Sequence, residues 1–247
     1  MSLSDISTIT NLYNKEYSSI NVNWLKYFKR FENQEFMNIF KQYIINTYVN
    51  NQIVYPSITD LFNPFKYTDP FTIKVVMLNQ SCENRSLGLA YSSKTPSKAC
   101  LNIEQELKRE FNRLNNNVDI TITDPSFEKL SRQGVFMPCI HLFYGISQVP
   151  QCIEMFWEHV FTLLVDLGNI IWFAWGDNEK YINKLLKIEN EDNMNKKKPD
   201  DKIIVNTNVK LRDTAITGRS FKGTGCFCIC NHYLKQFHRE PIDWIHI

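Results

Sequence analysis

The stretch Ile73-Lys74-Val75-Val76-Met77-Leu78-Asn79-Gln80 decides the fold. Its first six residues form a short, apolar, β-branched run, the pattern of a strand covered on both faces. A strand buried on both sides belongs in a parallel sheet between helical layers, and the segments around it agree. Ala99 to Leu114 reads as an amphipathic helix stopped by Asn115-Asn116-Asn117. Gly134 to Tyr144 reads as a second buried strand, Gln151 to Leu167 as a helix, Asn169 to Trp175 as a third strand and Asp177 to Ile188 as another helix. Upstream, apolar residues from Trp24 to Val49 recur at helical spacing, as one long helix or two short ones, before a loop with Pro56, Pro64 and Pro70. Downstream, the charged run Glu189 to Lys202 precedes a fourth strand at Ile203-Ile204-Val205. Strands alternating with helices predict an α/β fold with a parallel sheet.

Composition sets the bounds. The chain has 247 residues, 43% hydrophobic and 22% charged, which is globular and too apolar for disorder. A net charge of +2 excludes a strong uniform field, so any attraction to nucleic acid must come from a local patch. The N-terminus lacks a basic start followed by an apolar run, and Ile170 to Trp175 is too short to span a bilayer. A soluble, intracellular protein is expected, with no membrane association. None of the seven cysteines makes a C-x-x-C pair, so reduced thiols are expected and no metal or cofactor is called for. Cys226, Cys228 and Cys230 alternate, which invites a metal reading, but ordinary core and surface thiols are the expectation.

In parallel sheets chemistry sits beyond the carboxyl ends of the strands, here Asn79 to Ser92, Pro138 to Gly145, Trp175 to Lys180 and Val209 to Arg219. Those segments carry a resemblance. Val54-Tyr55-Pro56, Asp60-Leu61-Phe62, Lys74 to Gln80 and Gly88-Leu89-Ala90-Tyr91-Ser92 resemble the opening of the uracil-DNA glycosylase family. The likeness continues through Pro96-Ser97, Gln133-Gly134-Val135, Trp157-Glu158 with Phe161-Thr162, Trp175-Gly176, Arg219 with Phe221 and Gly223, Asn231 and Pro241-Ile242-Asp243-Trp244. It implies one domain over residues 24–247 after an N-terminal extension at 1–23, with a central four-stranded parallel sheet flanked by helices.

The same resemblance implies a site from which the chemistry has been removed. Uracil excision passes through a sugar cation and a departing uracil anion, both of which must be stabilised. In the family's Gly-Gln-Asp-Pro-Tyr-His motif the Asp orients water and faces the cation, while the Tyr excludes thymine's methyl. Those positions match Ser81 and Glu83, and only Gln80 is kept. Tyr91 replaces the Phe that stacks uracil, and Cys139 replaces the Asn that reads the uracil edge, a thiol with no amide to pair with it. Counting back from Arg219, the family's anion-stabilising His and its wedging Leu fall on Leu211 and Ala215. A positioned acid or base contributes about 10²–10⁴-fold and an anion-stabilising donor about 10²–10³-fold, so their joint loss leaves little rate.

For DNA contact, the phosphate-binding serines correspond to Ser97, which is kept, and to Asp177, Asp213 and Ile216, which are not. Lys210, Arg212, Arg219 and Lys222 form a local basic loop that either holds phosphates or is simply solvated. Glu83 reads as an exposed loop carboxylate, with a relocated acid or base as the alternative. His141 reads as structural and Trp172, Phe173 and Trp175 as core. The expectation is a catalytically inactive glycosylase-fold scaffold in DNA replication or repair, with a protein partner and possible DNA contact. A divergent, AT-rich chain of this kind resembles viral members of the family. The alternative is an active uracil-DNA N-glycosylase with relocated catalytic residues.

Overall fold

The computed structural model describes residues 3–114, 120–122, 124–146, 148–176, 178–185, 202–205, 208–213 and 223–247. The elements run α1 (Leu3–Ser18), α2 (Val22–Phe28), α3 (Glu35–Asn50), α4 (Asn63–Tyr67), β1 (Val75–Val76), α5 (Lys98–Leu114), α6 (Glu128–Arg132) and β2 (Val135–Phe136). They continue with α7 (Gln151–Leu167), β3 (Ile171–Trp175), α8 (Asn178–Leu185), β4 (Lys202–Val205), β5 (Asn208–Asp213) and α9 (Cys226–Gln236).

The sheet order is β2-β1-β3-β5-β4, with the first four strands parallel. The segment Ile203-Ile204-Val205 is a strand, but it is the antiparallel edge β4, paired with β5. The fourth parallel strand is β5 itself. Asn208-Val209-Lys210-Leu211-Arg212-Asp213 alternates polar with apolar residues, a period-2 pattern that the basic-loop reading passed over. Lys210 and Arg212 therefore belong to an interior strand in register with Trp172 and Ala174, not to a loop.

β1 and β2 are short as regular strands, yet their ladder extends further. Lys74 N–H donates to Gly134 O, Met77 N–H to Phe136 O, and Asn79 N–H to Pro138 O. Pro138 has no N–H to return, which limits the regular pairing. Gly134 opens β2 at φ +97°, where an added Cβ would lie 2.6 Å from Thr72 O. Only glycine fits that approach.

Strand alternation sorts the core onto both faces of the sheet. Val76, Leu78, Phe136 and Trp172 join Trp24, Phe28, Phe40, Phe65, Phe156 and Trp157 on one side. Val75, Met77, Val135, Ile171, Phe173 and Trp175 join Ile103, Leu107, Leu130, Phe227 and Trp244 on the other. Trp172, Phe173 and Trp175 are buried, as the sequence predicts. The long apolar periodicity resolves into two helices, α2 and α3, because Lys29 to Gln34 closes a series of tight turns. Ile153, Phe156, Trp157, Val160, Phe161 and Leu164 recur at helical spacing and form the buried stripe of α7. Residues 1–23 hold α1, whose Tyr13 meets Phe62 edge-on at 5.5 Å and lies in the same core as Trp24. Among the described residues, no helix is long and apolar enough to cross a membrane.

Candidate functional site

The carboxyl ends of β1, β2 and β3 converge as the α/β architecture requires, and backbone bonds fix what they present. Asn79 bridges Cys139 in parallel register. Ile140 N–H donates to Asn79 O at 2.9 Å and His141 N–H to Gln80 O at 2.8 Å. The motif loop after β1 is thus held against the end of β2, and Gln80, Ser81 and Glu83 are each half-buried beside it.

Tyr91 closes this region from above. Its backbone is left-handed at φ +65°, a strained conformation for an aromatic residue. Its ring packs on Trp175 at 5.7 Å, and its hydroxyl donates to Leu78 O at 2.8 Å. Asn178, at the start of α8, donates its Nδ2 to the same carbonyl at 2.9 Å. Leu78 O therefore has both lone pairs engaged. Tyr91 is 1% exposed and Cys139 3%, so neither ring face nor thiol is open to a base. Burial pushes the Tyr91 phenol well above its ordinary range. Cys139 is raised first by its hydrogen bond with Cys82 and then by burial, so both groups are neutral. Cys82 in turn donates its thiol to Leu142 O at 3.0 Å.

Two polar groups sit at the mouth. His141 Nδ1 lies 2.7 Å from Ile146 O and 3.3 Å from Ser81 Oγ. A carbonyl can only accept, so Nδ1 carries the ring proton and cannot take one from Ser81. Ser81 is consequently not activated as a nucleophile by this ring. Glu83 is not the exposed loop carboxylate expected: it is half-buried, and burial raises its pKa. Its charge bears on Tyr91, Cys139 and Cys100.

The remaining predicted residues separate. Ser97 precedes α5, and its Oγ accepts Cys100 N–H at 3.1 Å, with Lys94 and Lys98 exposed nearby. Leu211 lies inside β5 opposite Phe173, two residues short of Asp213 at the strand's end. The segment 209–213 is thus strand. Arg219, Lys222, Asp177, Ala215 and Ile216 lie outside the described residues. Among the described residues, no group of three or more His, Cys, Asp or Glu is placed to hold a metal. Cys226, Cys228 and Cys230 are on a helix, α9. Asn178 escaped sequence reading, although its position just past Trp175-Gly176, at the carboxyl end of β3, marked a site-facing residue.

No protein-family model matches the chain. Individual relatives do. It is 27% identical over 223 residues to the uracil-DNA glycosylase of Clostridium perfringens, covering 87% of this chain and 91% of that protein. It is 26% identical over 237 residues to the uracil-DNA glycosylase of Campylobacter jejuni subsp. doylei, covering 91% and 94%. Among solved structures, the mimivirus uracil-DNA glycosylase superposes with a TM-score of 0.69 at 18% identity over 93% of this chain and 88% of that one. The Nitratifractor salsuginis UNG gives a TM-score of 0.57 at 10% identity over 95% and 98%. The chain is thus similar to uracil-DNA glycosylases over about nine-tenths of its length and shares their fold. Of the residues that the sequence resemblance singles out, Ser81, Glu83, Tyr91 and Cys139 lie together at the ends of β1 and β2.

Proposed function

We propose that this protein is a uracil-DNA glycosylase family member that does not excise uracil and instead serves as a DNA-associated scaffold in a replication or repair assembly, with protein partners. The observation that carries the reading is the sealed base site. A flipped base needs an open aromatic face and an amide for its edge. Tyr91 is hydrogen-bonded shut against Leu78 and packed on Trp175, and the reading position holds a buried thiol. The sugar cation also lacks its carboxylate, since Ser81 offers only a hydroxyl beside a ring that is already donating to Ile146.

DNA contact is the part the retained residues support. Ser97 at the start of a 17-residue helix, with Lys94 and Lys98 exposed, offers one phosphate contact, because helix N-termini favour anions. Arg219 and Lys222, which follow β5 in sequence, supply further cations. The test measures uracil release and binding on one uracil-containing duplex. Binding that weakens with salt, without release, is expected. Absence of salt-dependent binding would leave a purely protein-binding scaffold, and release would end the inactive reading.

A second reading has one observation in its favour. Glu83 is half-buried with a raised pKa and acts electrostatically on Tyr91 and Cys139, as a relocated acid or base would. On that reading Glu83→Gln abolishes uracil release.

A further inference from the structure

The outward seam between α3 and α7 is apolar along its length and acidic at its edges, and nothing in the reading above uses it. The two helices run antiparallel, since Phe36 lies against His159 at 5.1 Å and Phe40 stacks on Phe156 at 4.4 Å. Between them opens a groove of about 440 Å³, lined by Phe36, Ile39, Cys152 and Met155, with Glu35 and Gln151 among its polar residues. Phe36 and Cys152 are buried, while Ile39 is 49% exposed.

The edges carry one sign of charge. Gln151, Glu154, Met155 and Glu158 recur at i, i+3, i+4 and i+7, so both carboxylates share the face of α7 that carries Met155. Glu35, in the first turn of α3, lines the other side. All three carboxylates are exposed, and among the described residues none is in an ion pair, not even with the exposed Lys180 or Lys184 of α8. Neither residues 31–40 nor residues 149–167 include a Lys or Arg. Lys41, the one cation in the sequence of α3, bonds Asn14 of α1 at 2.9 Å and lies over the Tyr13 ring, so it is turned toward α1. Arg30, just past α2, lies over the Tyr27 ring.

An apolar centre with a polar rim is the anatomy of a protein interface, whereas a small-molecule site aims its few polar groups inward. The rim selects the partner, because carboxylates repel nucleic acid and anionic lipid and draw in cations. A seam between two antiparallel helices also accepts a third helix, whose side chains at i and i+3 or i+4 fall on one line. We propose that the α3/α7 groove docks a basic amphipathic helix of a protein partner, with apolar side chains against Ile39 and Met155 and Lys or Arg beside Glu35, Glu154 and Glu158. The proposal rests on the scaffold reading for its purpose, since it names the face that holds the partner. The groove helices pack in one core and α5, which follows Ser97, in the other, so the phosphate contact proposed at Ser97 and the partner do not compete for one face.

The probe is a helical peptide of about 15 residues with Leu along one face and Lys on the others, since shorter helices are marginal in water. Its binding to the full chain is followed by fluorescence anisotropy at low and high salt. Saturable binding is expected, weakened at least about 10-fold by Ile39→Ser and, at low salt, by Glu154→Lys combined with Glu158→Lys. The charge effect should shrink at high salt, where screening shortens its reach, while the Ile39 effect persists. All three positions are exposed, so the variants keep the fold. Absence of binding, equal binding to the native chain and both variants, or a Leu/Glu peptide that binds as well as the Leu/Lys one overturns the proposal. Sedimentation of the chain alone is run beside it, and a dimer that Ile39→Ser disperses would assign the groove to a second copy and overturn it too. Uracil release is measured on the same samples. Release with peptide binding intact ends the scaffold reading and leaves the docking face, whereas neither release nor peptide binding ends the docking face and leaves the scaffold reading.

Discussion

Placing an amide at position 139, where the sequence resemblance puts a base-reading Asn, tests the proposal that the base site is sealed. Position 139 is 3% exposed, its thiol is bonded to Cys82, and its strand neighbours are paired. An Asn there brings two N–H donors and a carbonyl into a space whose acceptors are already engaged. Leu78 O takes both Tyr91 and Asn178, and Leu142 O takes the Cys82 thiol. At least one amide group is left unsatisfied, which costs about 1–3 kcal/mol, or roughly 3–10 °C in melting temperature at this chain length. Cys139→Ala serves as the control, because it removes the thiol without adding polar atoms. Urea unfolding and uracil-DNA binding are measured on both variants. Cys139→Asn should be the less stable of the two and should gain no preference for uracil. An Asn variant as stable as the native protein, with new uracil-selective binding, would show an open site and refute the reasoning.

Gly88→Ala should destabilise strongly, by at least 3 kcal/mol, because its φ is +90° and the added Cβ would fall 1.9 Å from Asp60 O; thermal unfolding or loss of soluble protein reads this. Asn231→Ala should cost about 2–4 kcal/mol by urea unfolding, since Asn231 pairs with both Ile242 N–H and Ile242 O at 2.9 Å and anchors the C-terminal segment. Ser97→Ala removes the cap of Cys100 N–H and should lower stability by about 1 kcal/mol. If Ser97 also meets phosphate, DNA affinity falls with it. Arg219→Ala and Lys222→Ala should each reduce the salt slope of DNA binding by about 1, and an unchanged slope would remove these residues from the DNA contact.

The central strand was legible because a β-branched apolar run with helices on either side has few other solutions, and Val75 to Leu78 divide between the two cores as alternation demands. β5 was not, because four cations near one another drew attention to charge when the informative feature was the alternation Val209, Lys210, Leu211, Arg212. The motif positions Ser81, Tyr91 and Cys139 were found from the sequence order, and the structure gathers them at the strand ends. Their state was not readable. Only three-dimensional contacts reveal that Tyr91 shares a carbonyl with Asn178, a residue 87 positions away, or that Glu83 is half-buried in its loop. Glu106 and Glu110 of α5 were hidden for a similar reason, since they read as the polar part of an amphipathic helix until α9, more than 100 residues later, covers them.

Single-turnover uracil release, with purified protein in excess over a single-stranded uracil-containing oligonucleotide, is the most direct measurement. Substrate in this form carries no duplex to open, so a lost wedge residue cannot mask chemistry. The account predicts release no faster than the protein-free reaction at any pH between 5 and 8. Release that rises with protein concentration and disappears in Glu83→Gln would contradict it and establish a relocated catalytic carboxylate.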